Sequence, residues 1–230
     1  MMGLRPEETA ALMLSLKVSF WATLVSLPLA LVVAWILARR DFWGKSLLSA
    51  TVHLPLVMPP VVTGYLLLLG FGRNGAVGAF LEEFGIVLAF RWTGAALAAA
   101  IMGFPLVVRA IRLAIEAVDP RLEQAASTLG AGRFWSFFLV TLPLITPGIL
   151  AGAVLGFAKA MGEFGATITF VANIPGQTQT LPSAIYAFLQ IPGAEASALR
   201  LVGLSLVVAV GAVLISEWLA RRVAERIGRG

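Results

Sequence analysis

A chain of 230 residues that is 59% hydrophobic and only 13% charged, with a mean hydropathy of +0.92, is not a water-soluble domain. Its 17 basic and 12 acidic residues leave a net charge of +5, but the basic residues sit in short connections between apolar runs, which excludes a nucleic-acid-binding face. Cysteine is absent, so a disulfide framework and a thiolate metal site are excluded as well.

Uncharged runs at residues 19–38, 46–72, 92–108, 134–158 and 201–216 mark the main elements. A helix needs about 20 apolar residues to cross a hydrocarbon core of about 30 Å, and flanking turns bring the shorter runs to that length. The pattern predicts five spans, at 12–38, 47–71, 92–115, 137–162 and 198–220. The fold class is therefore all-α, a polytopic transmembrane helical bundle forming one domain over residues 1–230. Span one is too long and too late for a cleaved signal peptide and is expected to remain as a membrane helix.

Arg39, Arg40 and Lys45 follow span one, Arg109, Arg112, Arg121 and Arg133 bracket the connection after span three, and Arg221, Arg222, Arg226 and Arg229 follow span five. The opposite connections hold Arg5, Arg73, Arg91 and Arg200. Basic loops stay in the cytoplasm, so the N-terminus is expected outside and the C-terminus inside.

Span two contains Pro55, Pro59 and Pro60; span three has Gly103 with Pro105, and span four Pro143 with Pro147. Proline removes a backbone donor and bends a helix, which a bilayer tolerates only beside neighbouring helices or water. Span two is accordingly expected to pack inside the bundle. Residues 164–194 carry no charge but are broken repeatedly by Gly, Pro, Asn, Gln and Thr, so no smooth crossing is expected there. The apolar run 181–191 is below spanning length and reads as a surface or re-entrant helix on the outer side. Were it to cross, the basic tail would end up outside.

Between spans three and four lies RLEQAASTLGAG, residues 121–132. Leu122, Ala125, Ala126 and Leu129 recur at i, i+3, i+4 and i+7, which predicts a short helix with a thin, smooth apolar stripe. Asp119 suits the N-cap, Pro120 the first helical position, and Gly130 the left-handed residue after the last turn. Phe134, Trp135, Phe137 and Phe138 then return the chain to the bilayer through an aromatic interface. Two readings stand for such a cytoplasmic helix: a docking element for another protein, or a lid lying flat on its own membrane face.

Lys159 and Glu163 are four apart near the outer end of span four, hence on one helix face. They either pair with each other and order the bundle or border a translocation path. Lys17 is expected to snorkel to the headgroups. His53 has no second histidine or cysteine to share a metal with, so a structural hydrogen bond is expected and no metal or cofactor site. Thr178, Gln179 and Thr180 supply neutral donors in the outer loop, suited to passing an oxyanion along or simply to solvation. No G-x-x-x-x-G-K-[ST], G-x-S-x-G or H-E-x-x-H occurs, so catalysis is not expected of this chain.

Gln124, Ala125, Ala126, then Gly130, then Val140, Leu142 and Pro143 stand in the spacing of the cytoplasmic signature of permease subunits of binding-protein-dependent ABC importers. That signature reads E-A-A, three residues, G, nine residues, I, one residue, L-P, so the chain departs at Gln124 and Val140, with Glu123 one position before the glutamate site. The stretches MGEFGATITFVANIPGQTQTLPSAIY, 161–186, and ARRDFWGKSLLSATVHLPLVMPPVVTGYLLL, 38–68, resemble the molybdate group of these permeases, with its sulfate and tungstate relatives. The resemblance implies that Glu123, Gln124, Ala125, Ala126, Leu129 and Gly130 couple the chain to an ATP-binding subunit that performs the hydrolysis. It also implies two copies of that subunit, an extracytoplasmic oxyanion-binding protein, a location in the cell inner membrane and import by alternating access. Five helices are few to enclose a hydrated dianion, so a second copy of the chain is expected. Two other classes stay open: a secondary transporter, which would carry midplane carboxylates and inverted repeats that are not found here, and a membrane assembly subunit, which would not need the alanine-faced helix.

Overall fold

The computed structural model describes residues 5–227; the side chains of Arg133 and of the C-terminal arginines Arg221, Arg222, Arg226 and Arg229 lie outside the described residues. Every regular element among the described residues is helical. The long elements are α1 (Pro6–Arg39), the pair α2 (Lys45–Val57) and α3 (Pro60–Phe71), α5 (Trp92–Ala117), α8 (Leu142–Met161) and α11 (Glu195–Ile227). Short helices fill the connections: α4 (Ala76–Glu83), α6 (Pro120–Thr128), α7 (Arg133–Ser136), α9 (Gly165–Val171) and α10 (Leu181–Leu189). Four helical stretches are long and apolar enough to cross a membrane, and the bent pair α2–α3 makes a fifth if taken as one span.

Helix α5 is the axis, with 61% of its apolar stretch buried against 33% for α1, 17% for Phe134–Met161 and 11% for Glu195–Ile215. The reason is side-chain size. Within lipid no hydrophobic force draws helices together, so contact depends on how closely backbones approach, and small residues permit the closest approach. Gly148, Gly152 and Gly156 recur every fourth residue on α8 and face α5. A Cβ on Gly152 would stand 3.2 Å from Val107 O, and one on Gly156 would stand 2.6 Å from Val107 Cγ2. On α5, Gly103 meets Gly156 in the same way. Helix α1 offers Ala11, Ser15, Ser19, Ala22, Ser26, Ala30 and Ala34 on its buried side and turns Phe20, Trp21, Leu24, Val25 and Leu29 outward. Small side chains thus line the faces by which α1 and α8 approach α5, and on α1 the large ones point outward.

Two core clusters follow along α5. At the outer half Val18 and Ala22 pack with Ala95, Ala98, Ala99, Met102 and Phe170; at the inner half Ala34 and Leu37 pack with Val52, Val108, Ile111, Ile115 and Ile145. Helix α11 is clasped at its outer start, where Arg200 Nη2 donates to Glu8 Oε1 at 2.6 Å and Glu8 is fully buried. Lys17 has a partner within the protein: its Nζ sits 3.7 Å from the centroid of the Trp92 ring, a cation–π contact.

The broken span also corrects an expectation. Met58 is extended because a proline follows it, Pro59 and Pro60 lack N–H groups, and α2 and α3 meet at 112°. Span two does not lie inside the bundle of the single chain. Only Val52 of α2 is buried, while Leu47 is 71% and Val57 82% exposed, because the small faces of α1 and α8 have already enclosed α5. What α3 does bury goes against α9, where a Cβ on Gly64 would stand 2.5 Å from Ala166 O and one on Gly165 2.8 Å from Pro60 Cβ. Helix α10, nine residues or about 13 Å long, is a non-spanning helix as expected.

Filling the seam should loosen it. Gly156→Val is expected to lower stability by about 1–3 kcal/mol, read by steric trapping in bicelles. Gly203→Ala, with nothing within 4 Å of the added methyl, should leave it unchanged.

Candidate functional site

Helix α6 forms as its caps dictate. Asp119 Oδ1 accepts from Arg121 N at 2.9 Å, Pro120 occupies the first position, and Gly130 closes the C-terminus at φ +88°, where a residue with a Cβ would be strained. Ala131 N then donates to Ala126 O at 3.0 Å and satisfies a terminal carbonyl. No residue of α6 is buried, and Leu129 just past its end is 88% exposed. The apolar stripe of Leu122, Ala125 and Leu129 therefore faces away from the protein, which removes the lid reading.

Glu123 behaves differently from its neighbours in the coupling set. Its Oε1 accepts from Arg39 Nη2 at 3.1 Å and from Thr141 Oγ1 at 2.8 Å, and Arg39 Nη2 also donates to Val118 O at 3.1 Å. One carboxylate thus ties the helix to the cytoplasmic end of α1 and to the start of the crossing that becomes α8. Gln124 and Ala125 are exposed, Ala126 is half-buried, and a shallow cavity of about 160 Å³ opens beside Glu123 and Gln124 against Trp35 and Phe137. The turn Phe137–Thr141 is a π-helix inside the stretch Phe134–Met161, a local loosening of the ladder where the tether joins it. Sequence reasoning grouped Glu123 with the docking residues; only Arg39, 84 positions away, reveals its tethering role.

At the outer end of the same crossing stands the second ion pair. Lys159 Nζ lies 2.8 Å from Glu163 Oε2, and Glu163 is 2% exposed. Glu163 Oε1 accepts from Ala166 N at 3.0 Å and so caps the first turn of α9. Both oxygens are engaged within the bundle, as the ordering reading of this pair requires. Thr178 and Thr180 are buried: Thr178 Oγ1 accepts from Ile174 N at 3.0 Å, and Thr180 Oγ1 is 3.4 Å from Ser183 Oγ. Their hydroxyls hold the loop between α9 and α10, with Gln179 half-buried between them. His53 Nδ1 donates to Ser49 O at 2.7 Å, the expected structural bond.

The chain as a whole has counterparts among known proteins. The model of binding-protein-dependent transport system inner membrane components matches residues 26–225. The chain belongs to this family. Among its curated relatives, the molybdenum transport system permease protein ModB of Escherichia coli K12 is 59% identical over 229 residues, 99% of this chain and 100% of the relative. The ModB of Haemophilus influenzae is 55% identical over 97% of this chain and 98% of its own length. The sulfate transport system permease protein CysT of Salmonella typhimurium is 37% identical over 95% of this chain and 80% of its own. The fold is shared with a bacterial ABC transporter importing the acidic polysaccharide alginate, at 20% identity and a TM-score of 0.74 over 95% of this chain and 80% of that one. It is shared too with the MetNI methionine transporter, at 15% identity and a TM-score of 0.68 over 94% of both chains. This member of the family is a multi-pass membrane protein and a transport subunit.

Substitutions test the two carboxylates that meet the ends of span four, Glu123 from α6 and Glu163 beyond α8. Glu123→Ala removes both tethers and leaves Arg39 unpaired, so stability should fall by about 1–3 kcal/mol in steric trapping, while Gln124→Ala should leave it unchanged. Lys159→Met strands a buried charge and should lower stability by about 2 kcal/mol, whereas the double change Lys159→Met with Glu163→Gln, which keeps the cap on Ala166 N, should recover most of the loss.

Proposed function

We propose that this chain is the membrane-spanning permease of an ATP-driven importer of a tetrahedral oxyanion, molybdate in the first place, acting as a homodimer with two ATP-binding subunits and an extracytoplasmic binding protein in the cell inner membrane. The observation that carries the reading is α6: a rigid helix with no residue buried, an exposed apolar stripe, and one carboxylate tying it to two crossings. Such an element transmits force only if something grips it. The docking set is Gln124, Ala125, Ala126, Leu129 and Gly130, with Glu123 as its anchor. Identity to the two ModB permeases over nearly the whole chain supports molybdate, and the CysT likeness supports sulfate, with tungstate beside them, as the alternative. Midplane carboxylates of the kind an ion-coupled transporter uses have not been found, which leaves secondary transport the weaker reading.

The contacts describe a route for the work. Closure of the ATP-binding subunits moves the two α6 helices together, and Glu123 passes the displacement to α1 through Arg39 and to the Phe134–Met161 crossing through Thr141. At its far end Glu163 hands it to α9, and the Gly64–Ala166 contact hands it to α3 and the break at Pro59–Pro60. Lys159, Glu163 and the loop of Thr178, Gln179 and Thr180 border the path at its outer end in this reading. A second copy laid against α2–α3 would cover Leu47, Val57, Val61 and Tyr65, which the single chain leaves exposed, and would shield the break from lipid.

Leu129→Arg, at a position 88% exposed, should leave folding intact, abolish co-purification of the ATP-binding subunit and reduce cellular molybdate uptake at least tenfold. Unchanged association and uptake would overturn the reading. Competition of sulfate against labelled molybdate in the same uptake assay decides the substrate.

A further inference from the structure

On the cytoplasmic side, α2 and α5 enclose a cleft with two lobes of about 470 and 380 Å³ that share Ser49, His53 and Arg112. Lys45 and Ser46 line one lobe, Arg109 and Glu116 the other. On α2, Ser46, Ser49 and His53 fall at i, i+3 and i+7, one polar stripe on a helix whose other residues, Lys45 and Thr51 apart, are apolar. On α5, Arg109, Arg112 and Glu116 fall at i, i+3 and i+7 opposite it. Anchoring a helix at the headgroups requires cations, but it does not require that three of them share a hollow with two hydroxyls and an imidazole.

The charges are arranged to leave donors over. Lys45 Nζ holds Asp41 Oδ1 at 2.8 Å, and Asp41 is turned to solvent, its carboxyl kept below the ordinary aspartate range by the Lys45 hydrogen bond and charge. Arg112 Nε holds Glu116 Oε1 at 2.7 Å, which engages one edge of the guanidinium. Among the described residues Arg109 has no carboxylate partner. His53 gives Nδ1–H to Ser49 O, which fixes the ring at the wall of the cleft; Nε2 of that neutral tautomer is an acceptor, so the donors left over are those of the arginines, Lys45 and the two serines. The cleft therefore keeps a net positive charge and spare N–H and O–H donors in a hollow wide enough for an anion with part of its water.

The geometry points to a binding site for a tetrahedral oxyanion in this cleft, held by Arg109, Arg112 and Lys45 with Ser46, Ser49 and His53 beside them, as the last station of the transported ion before it enters the cytosol. This rests on the proposed import function. A wide cleft whose cations are partly engaged by Asp41 and Glu116 binds loosely, and an exit station has to release what it receives.

The test is equilibrium dialysis of molybdate against the full-length chain in nanodiscs of phosphatidylcholine alone and of phosphatidylcholine with phosphatidylglycerol. Saturable binding in the first discs, displaced by sulfate or inorganic phosphate and weakened about tenfold by Arg109→Gln and again by Arg112→Gln, with recovery in Arg109→Lys, is the expected result. Absence of saturable binding, or binding indifferent to these changes, overturns the proposal. So does a cleft that retains phosphatidylglycerol through Arg109 while taking up no molybdate, since a lipid headgroup is then the occupant. Molybdate uptake by cells carrying the unaltered chain separates the two levels: uptake with no binding in the cleft removes the exit station and leaves the import function standing, and binding without uptake removes the import function and with it the exit station, leaving only an anion site.

Discussion

Lipid gives an apolar helix no reason to leave it, so this bundle stands on the distance of closest approach between backbones. The seam between α5 and α8 supplies that approach through Gly103, Gly148, Gly152 and Gly156, and the small face of α1 closes on the other side. Every other placement follows from this contact. With α5 enclosed by α1 and α8, no space remains for the proline-broken pair α2–α3, which is set at the margin and finds its partner in α9 instead. The cytoplasmic cleft exists for the same reason: α2 touches α5 through Val52 and Leu48, and the hollow beside that contact is lined by polar residues.

The crossing from Phe134 to Met161 has a carboxylate joint near each end. Glu123 binds its inner end from α6, and Glu163 binds its outer end to α9. These joints are alike in design, a partly or fully buried carboxylate shared between a cation and a second donor: at Glu163 the two oxygens are divided between Lys159 and Ala166 N, and at Glu123 both Arg39 and Thr141 meet Oε1. Directional bonds are what such joints require. Apolar packing permits sliding, whereas a carboxylate held by Arg39 and Thr141 together fixes both the distance and the angle of α6 relative to two crossings.

Reading the chain as a sequence recovers what periodicity and charge encode and misses what depends on remote partners. The five apolar stretches, the capped helix at 120–128 with Gly130 behind it, the non-spanning helix near 181–189 and the Lys159–Glu163 pair all rest on local spacing, and all are present. The Glu8–Arg200 clasp joins residues 192 apart, and Arg39 reaches Glu123 across 84, separations at which no pattern in a single sequence points to a partner. The glycines at 148, 152 and 156 recur every fourth residue, a spacing the sequence reading passed over, and the structure shows that α5 occupies the face they make. The expectation that span two lies inside failed for a physical reason. Proline-broken backbone does need cover from lipid, but that cover need not come from the same chain.

In the proposed importer, work entering at α6 would take a preferred route, because the contacts leading from that helix differ in stiffness. From Glu123 to α8, from α8 to α5 along the glycine seam, and from Glu163 through α9 to α3, each step is a charge-assisted hydrogen bond or a backbone-to-backbone approach that yields little. Helix α11 lies beside this route with only 11% of its apolar stretch buried, and its polar fastening to α1, Arg200 on Glu8, is at the outer end. Displacement of α8 can therefore slide past α11 while α9 and α3 follow, and the element the route ends on is the hinged pair α2–α3. A span broken by 112°, with α2 packed on α5 and α3 on α9, is the part of the bundle whose two halves can turn independently, which is where the proposed path, opening alternately on its two sides, needs its moving wall.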